Sequence, residues 1–297
     1  MGEEKPESEG AALDSFLAGL DGGGAVGEIA GWRSGFAALD AALNGISPGL
    51  YLLIGPPASG KTAFARQLLD QVARLNAVPA LFFAFAEKKA DLRIRTLARL
   101  SGLETREIRR GAGWLLHTYG VSKQHVGEAE MAPGWGKLKL AAAEAKSWLD
   151  RVYLHECGRE TTRDEIEGQI RAARETSERA QFPMVVIDDG QRLGGEALPF
   201  DARLPLVVEK LHGLALRLDA PVLAAWPEFE PAAAPEKWAE RVAEADAVMV
   251  LREDIQRTKQ LAGKRAVVLH IVKNRGGEKA VVRLDFSPGL AKFDEAR

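Results

Sequence analysis

Between Tyr51 and Ala73 the chain reads YLLIGPPASGKTAFARQLLDQVA: a short apolar run, a glycine-bounded turn and an amphipathic helical pattern in direct succession. Gly55, Gly60, Lys61 and Thr62 complete G-x-x-x-x-G-K-[ST] within it, the sequence form of a loop whose backbone N–H groups close around a polyphosphate. The chemistry requires these residue types. Glycine at each end permits dihedrals and close approaches that a Cβ forbids, the lysine reaches the β- and γ-phosphates, and the threonine hydroxyl ligates Mg²⁺. A helix beginning near Lys61 adds its unpaired N-terminal amides and the positive end of its dipole. A bare pattern of this kind also occurs by chance, but here Tyr51 to Ile54 reads as a buried strand, and Ala63, Phe64, Leu68, Leu69 and Val72 share one helical face. Strand, loop and helix in this order predict a nucleotide site on Gly55, Pro56, Pro57, Ala58, Ser59, Gly60, Lys61, Thr62 and Ala63.

At 297 residues the chain is long enough for one large α/β domain or two small ones. A net charge of −2 provides no global basic field to draw it onto nucleic acid or anionic lipid, although a local basic groove stays open. Cys157 is the only cysteine, so no intrachain disulfide can form and a reducing, cytoplasmic setting is expected. No basic-then-apolar signal opens the sequence. The longest uncharged apolar stretch, Ala77 to Ala86, is too short to span a bilayer and contains a proline, so no membrane partner is expected.

Residues 1–31 read as an acidic, disordered lead-in, with Glu3, Glu4, Glu7, Glu9, Asp14, Asp21 and Glu28 against Lys5. Within it Ala11 to Leu20 has the spacing of a short helix that needs a docking surface. A helix is predicted from Phe36 to Leu43, stopped by Asn44-Gly45. Strand signals follow at Pro79 to Phe85, Val152, Met184 and Pro221, alternating with helical patterns from Lys88, Lys137, Thr162 and Leu204. This alternation predicts an α/β fold with a mostly parallel central sheet flanked by helices. The runs AVMVL, AVVLHIV and AVVRLDF, starting at Ala247, Ala266 and Ala280, read as hairpin-connected antiparallel strands ending the domain. Residues 32–297 are thus expected to form one core, with an insertion at 111–134 whose Trp114, Leu115, Leu116, His117 and Tyr119 make it partly apolar.

GWRSGFAALDAAL before the loop, MVVIDDGQRL from Met184, AEADAVMVL from Ala243 and VKNRGG from Val272 stand in the order found in a known family. Across roughly Trp32 to Phe293 the chain resembles the RecA-like P-loop ATPase domain of DnaB-type replicative helicases, without the N-terminal domain usual there. The resemblance implies ATP and Mg²⁺ as ligands, a homo-oligomeric ring, six-membered in the family, with ATP at subunit boundaries, and single-stranded DNA through its centre. It implies that Asp188, ending an apolar strand, holds Mg²⁺ opposite Thr62, and that Gln191 relays nucleotide state. It also implies that Lys273 and Arg275 reach the γ-phosphate bound by a neighbouring subunit.

The chain departs from that pattern where the chemistry is most exacting. The family's catalytic glutamate position aligns with Ala86, and Glu87 follows one residue later, a slip that changes the face of a strand. Past the strand end a turn can redirect Glu87, and Asp189, directly after Asp188, is a second candidate base; a site with no working base is the third reading. Trp226 and Pro227 stand where the family keeps a polar pair that senses the γ-phosphate, so Trp226 is read as packing. The loop from Trp226 to Arg241 carries Glu228, Glu230, Glu236 and Glu240 against Lys237 and Arg241, an acidic balance that disfavours DNA threading. These features predict a slow ring ATPase derived from helicases, or an ATP-dependent scaffold with little hydrolysis. A small-molecule kinase would leave Lys273 and Arg275 unused.

Overall fold

The computed structural model describes residues 30–111, 133–175, 182–193, 200–228 and 234–296. The docking helix expected at Ala11 to Leu20 and nearly all of the 111–134 insertion lie outside them.

The described strands form one sheet in the order β3-β2-β4-β5-β1-β6-β7-β8-β9. Strands β1 (Gly49–Gly55), β2 (Ala80–Ala84), β3 (Val152–Glu156), β4 (Met184–Asp188), β5 (Pro221–Pro227) and β6 (Ala247–Glu253) run parallel. β7 (Arg265–Asn274), β8 (Ala280–Ser287) and β9 (Lys292–Glu295) extend the sheet as antiparallel neighbours. The helices are α1 (Ala37–Leu43), α2 (Lys61–Asn76), α3 (Lys89–Ser101), α4 (Thr105–Arg109), α5 (Pro133–Leu149), α6 (Arg163–Glu175), α7 (Phe200–Leu218), α8 (Lys237–Arg241) and α9 (Ile255–Thr258).

The alternation of side chains across β1 divides the core. Tyr51 and Leu53 join one apolar cluster with Phe64, Leu68 and Val72 of α2; Leu50, Leu52 and Ile54 join another with Leu211 and Leu214 of α7 and with Trp226. Both faces are covered over β1, β2, β4 and β5, which is why these strands read as apolar runs. Beyond β6 one face opens: Val281 of β8 is exposed while Val282, Leu284 and Phe286 are buried.

The helix ends follow local chemistry. α1 stops where Asn44 takes φ 54° and Gly45 takes φ 80°, the left-handed conformation that asparagine and glycine tolerate. β1 leads directly into the loop, and α2 starts as soon as Gly60, at φ 97°, has turned the chain. The loop therefore stands at the carboxyl end of the sheet, where β1 is flanked by β5 and β6 rather than by a sequence neighbour. Open α/β sheets bind ligands at such a switch point.

Candidate nucleotide site

The glycines of the loop are required for different reasons. Gly55 is the last residue of β1, and a Cβ on it would lie 2.5 Å from the Leu251 carbonyl oxygen of β6. Its constraint is the close approach of a neighbouring strand, whereas the sequence alone pointed to the phosphate. Gly60 needs its positive φ, and a Cβ there would press on the rings of Phe293 and Phe286 at 3.0 and 3.1 Å. Ala58 also takes a left-handed conformation, φ 60°, and its carbonyl accepts a hydrogen bond from Arg265 at 3.2 Å.

Lys61 is nearly buried, and its Nζ donates to the Gly55 and Pro56 carbonyls, each at 2.8 Å. Burial pulls its pKa down, while Asp188, Asp189 and Glu228 pull it back up. The hydroxyl of Thr62 donates to Asp188 Oδ2 at 2.8 Å. Asp188 ends β4 at 2 % exposure. Burial pushes its carboxyl up to about 7, against the Thr62 hydrogen bond and with added repulsion from Asp189 and Glu87. A buried carboxylate beside a hydroxyl is a pair of hard oxygen donors of the kind that Mg²⁺ takes. A cation there would also relieve the charge that burial now disfavours.

Lys61 and Thr62 open onto a cleft of about 590 Å³ whose lining also includes Glu87, Asp189, Gln191 and Pro227. β2 ends at Ala84, and Phe85 to Glu87 bend before α3 begins, which settles the face of Glu87 in favour of the cleft. Arg95 of α3 ion-pairs with Glu87 Oε1, whereas Oε2 is buried without a partner. Burial raises the pKa of Glu87, Arg95 opposes it, and Asp91 adds to the rise. Asp189 reaches the same cleft from a left-handed residue, φ 60°, with Arg192 at 3.5 Å. Gln191 keeps a buried Oε1 without a partner.

Lys273 and Arg275 lie elsewhere. Ala247 pairs with both Tyr51 and Asn274, so the β7 hairpin tip stands at the end of the sheet where β1 begins, away from the loop. There Arg275 pairs with Asp246 at 2.9 Å. Lys273 Nζ donates to the Val242 carbonyl at 3.2 Å and to that of Ala243.

Two positions that departed from the family pattern have structural explanations. Trp226 is wholly buried and fills the second apolar cluster. Glu228, expected in an exposed acidic loop, is also wholly buried: it accepts from Trp238 Nε1 at 2.9 Å and from Arg252 Nε at 3.0 Å. The acidic balance assigned to that loop therefore loses Glu228, and Glu230 lies outside the described residues. Sequence reasoning missed Arg95, Arg109, Arg265 and Phe286 on the cleft wall; they come from separate elements and carry no local pattern. Among the described residues no helix is long and apolar enough to cross a membrane.

A family model described as the DnaB-like helicase C terminal domain matches residues 31–226. The replicative DNA helicase DnaB of Haemophilus influenzae is 23% identical over 279 residues, 90% of this chain and 55% of that protein. DnaB of a Synechocystis strain is 26% identical over 195 residues, 65% of this chain and 20% of its own length. The chain thus spans from a fifth to just over half of these relatives. Among solved structures, an ATPase domain superposes with TM-score 0.80 at 20% identity, covering 99% of this chain and 100% of that one. A DnaB-like replicative helicase, described with its interactions with primase, gives 0.78 at 20% identity, covering 98% and 69%.

Proposed function

Because the chain belongs to the DnaB-like helicase C-terminal domain family, we propose that it is a RecA-like ring ATPase that binds ATP and hydrolyses it slowly at subunit boundaries. The observation that carries this reading is the Thr62 hydroxyl set 2.8 Å from Asp188 at a cleft that also receives Lys61, Glu87 and Asp189. ATP lies along Gly55 to Ala63, and Lys61 exchanges its two carbonyl acceptors for phosphate oxygens. Thr62 and Asp188 hold Mg²⁺, which when bound neutralises charge on the β- and γ-phosphates. Glu87, through its unpartnered Oε2, orients water for in-line attack on the γ-phosphate and accepts its proton. Asp189, shorter by one methylene, is the second candidate.

Lys273 and Arg275 serve the cleft of the next subunit, stabilising charge on the transferred phosphoryl group. The ring is homo-oligomeric, six-membered by analogy, and works in the cytoplasm, where the lone half-buried Cys157 stays reduced. Single-stranded DNA is the partner that this architecture serves in the family, and residues 32–297 act as one ATPase domain. Slow turnover follows from two features: Arg95 holds Glu87, and Trp226 offers no exposed polar group where a γ-phosphate sensor is expected. The same features support the second reading, an ATP-dependent oligomeric scaffold or regulatory protein with little hydrolysis.

Phosphate release measured with and without single-stranded DNA, alongside the mass of the assembly with ATP, separates the two. DNA-stimulated turnover supports the motor. ATP-dependent assembly with negligible release supports the scaffold, and failure to bind ATP at millimolar concentration removes both.

A further inference from the structure

A second cavity, of about 380 Å³, opens between α2, α3, α5 and the edge strand β3. Ala142, Leu149, Val152 and Leu154 give it a hydrocarbon wall, while Arg66 and Arg93 supply cationic groups. Arg66 belongs to a buried charged cluster. Its Nη2 lies 2.9 Å from Asp70, Arg99 also pairs with Asp70, and the three side chains are 7% exposed or less. Thr96 knits the group, accepting from Arg66 Nε at 3.1 Å and donating to Asp70 at 2.8 Å.

The cluster does not balance. Two guanidiniums face one carboxylate, and Asp70 is the one acid that ion-pairs with either of them among the described residues. Nη1 of Arg66, which lines the cavity, and Nη1 of Arg99, which does not, are both buried without an acceptor, and Asp70 Oδ1 is buried without a hydrogen-bond donor. A buried cation lacking a counter-charge is costly, as is a buried N–H without an acceptor. Arg93, exposed at the cavity mouth and without an ion-pair partner among the described residues, adds positive charge on the same side. An anion against Arg66 and Arg93 would offset that excess of positive charge.

The wall specifies the rest of the ligand. An inorganic anion would leave the leucine and valine surface unfilled, and a neutral hydrocarbon would leave the guanidinium N–H groups unpaired. The volume lies within the range of small-molecule sites, about 300 to 1,000 Å³. We propose that this cavity binds a small amphiphilic carboxylate, its head group taken by Arg93 and Arg66 and its tail laid against Leu149, Val152 and Leu154. The site is separate from the nucleotide cleft and does not depend on the ATPase reading.

The test is calorimetric titration of the full chain with octanoate, against acetate, inorganic phosphate and 1-octanol. Octanoate should bind saturably at one site, at least tenfold more tightly than any of the three controls. Arg66 is too deeply buried to replace safely, so the variants are Arg93→Gln, which should weaken octanoate binding several-fold, and Ala142→Trp, which should block the cavity and abolish it. Both change exposed positions and should leave ATP binding intact. The proposal is overturned if octanoate shows no saturable binding at millimolar concentration, if acetate, phosphate or octanol binds as tightly, or if Ala142→Trp binds octanoate like the parent chain.

Discussion

Replacing Asp188 with asparagine should make the nucleotide-free protein more stable at pH 8 and no more stable near pH 4. Folded Asp188 keeps its proton up to about pH 7, whereas the unfolded chain releases it near 3.8. Between those values the folded state holds the extra proton, so its contribution is complete at low pH and is lost as pH rises through 7. At about 1.4 kcal/mol per tenfold change in acidity, ionising this carboxylate above pH 7 costs at most about 4 kcal/mol. Relaxation and water entry reduce that, so a gain of about 1 to 4 kcal/mol is expected for the neutral variant. Asparagine keeps an oxygen to accept from the Thr62 hydroxyl, so the packing around β4 is preserved. A gain of 1 kcal/mol corresponds to roughly 1.5 °C in a chain of this size. Thermal denaturation followed by circular dichroism in EDTA, at both pH values, measures it. Adding Mg²⁺ and ATP at pH 8 should reverse the order, because only the carboxylate gains from the cation. An asparagine variant no more stable than the parent at pH 8 without metal, or one with the same gain at both pH values, would refute the reasoning.

Gly55→Ala should cost about 1 to 3 kcal/mol by overpacking, since its Cβ would meet the Leu251 carbonyl at 2.5 Å; an unchanged urea midpoint would show that β6 yields. Glu87→Gln should lower turnover by at least tenfold with ATP affinity retained, and Asp189→Asn should lower it less. Equal, unaffected rates in both would remove the two carboxylates from the proposed chemistry. Mixing Lys61→Ala chains with Arg275→Ala chains, each inactive alone, should restore a fraction of the phosphate release. A mixture as silent as its components would argue against a neighbour supplying Arg275.

Much of this architecture is legible because parallel strands covered on both faces must be apolar throughout. β1, β2, β4 and β5 therefore stand out from their surroundings, and Asn44-Gly45 marks the end of α1 through backbone conformation alone. Local signals fail where a partner lies far along the chain. β9, with the sequence KFDE, is charged at three of its four positions and becomes a strand only through its pairing with β8. Glu228 reads as a loop charge until Arg252 and Trp238, on other elements, close over it. The requirement at Gly55 comes from a carbonyl nearly two hundred positions later. Glu87 was ambiguous for a different reason: strand ends are hard to place to the residue, and one residue decides the face. Its direction follows from β2 stopping at Ala84.

The placement of the hairpin tip constrains the proposed chemistry more than any single contact in the cleft. From Tyr51, level with Ala247 and Asn274, to Gly55 is four steps along β1, roughly 13 Å at about 3.3 Å per residue. Lys273 and Arg275 start from the far end of that span, and no extended side chain covers it and also passes the covered sheet. In a single chain they have other tasks: Arg275 neutralises Asp246, whose Oδ2 accepts the Leu50 N–H at 2.8 Å and so braces the start of β1. Lys273 satisfies carbonyls just before β6. A γ-phosphate on an adjacent subunit must therefore compete with Asp246 for Arg275, a carboxylate in the same molecule and already in place. Arg275 is more than half exposed, so its exchange costs little desolvation. Lys273 is more enclosed and already disfavoured as a cation by burial, and gains more from a new anionic partner. On the proposed reading, then, both the nucleotide and the subunit contact are needed to release the pair, and hydrolysis by a lone chain is not expected.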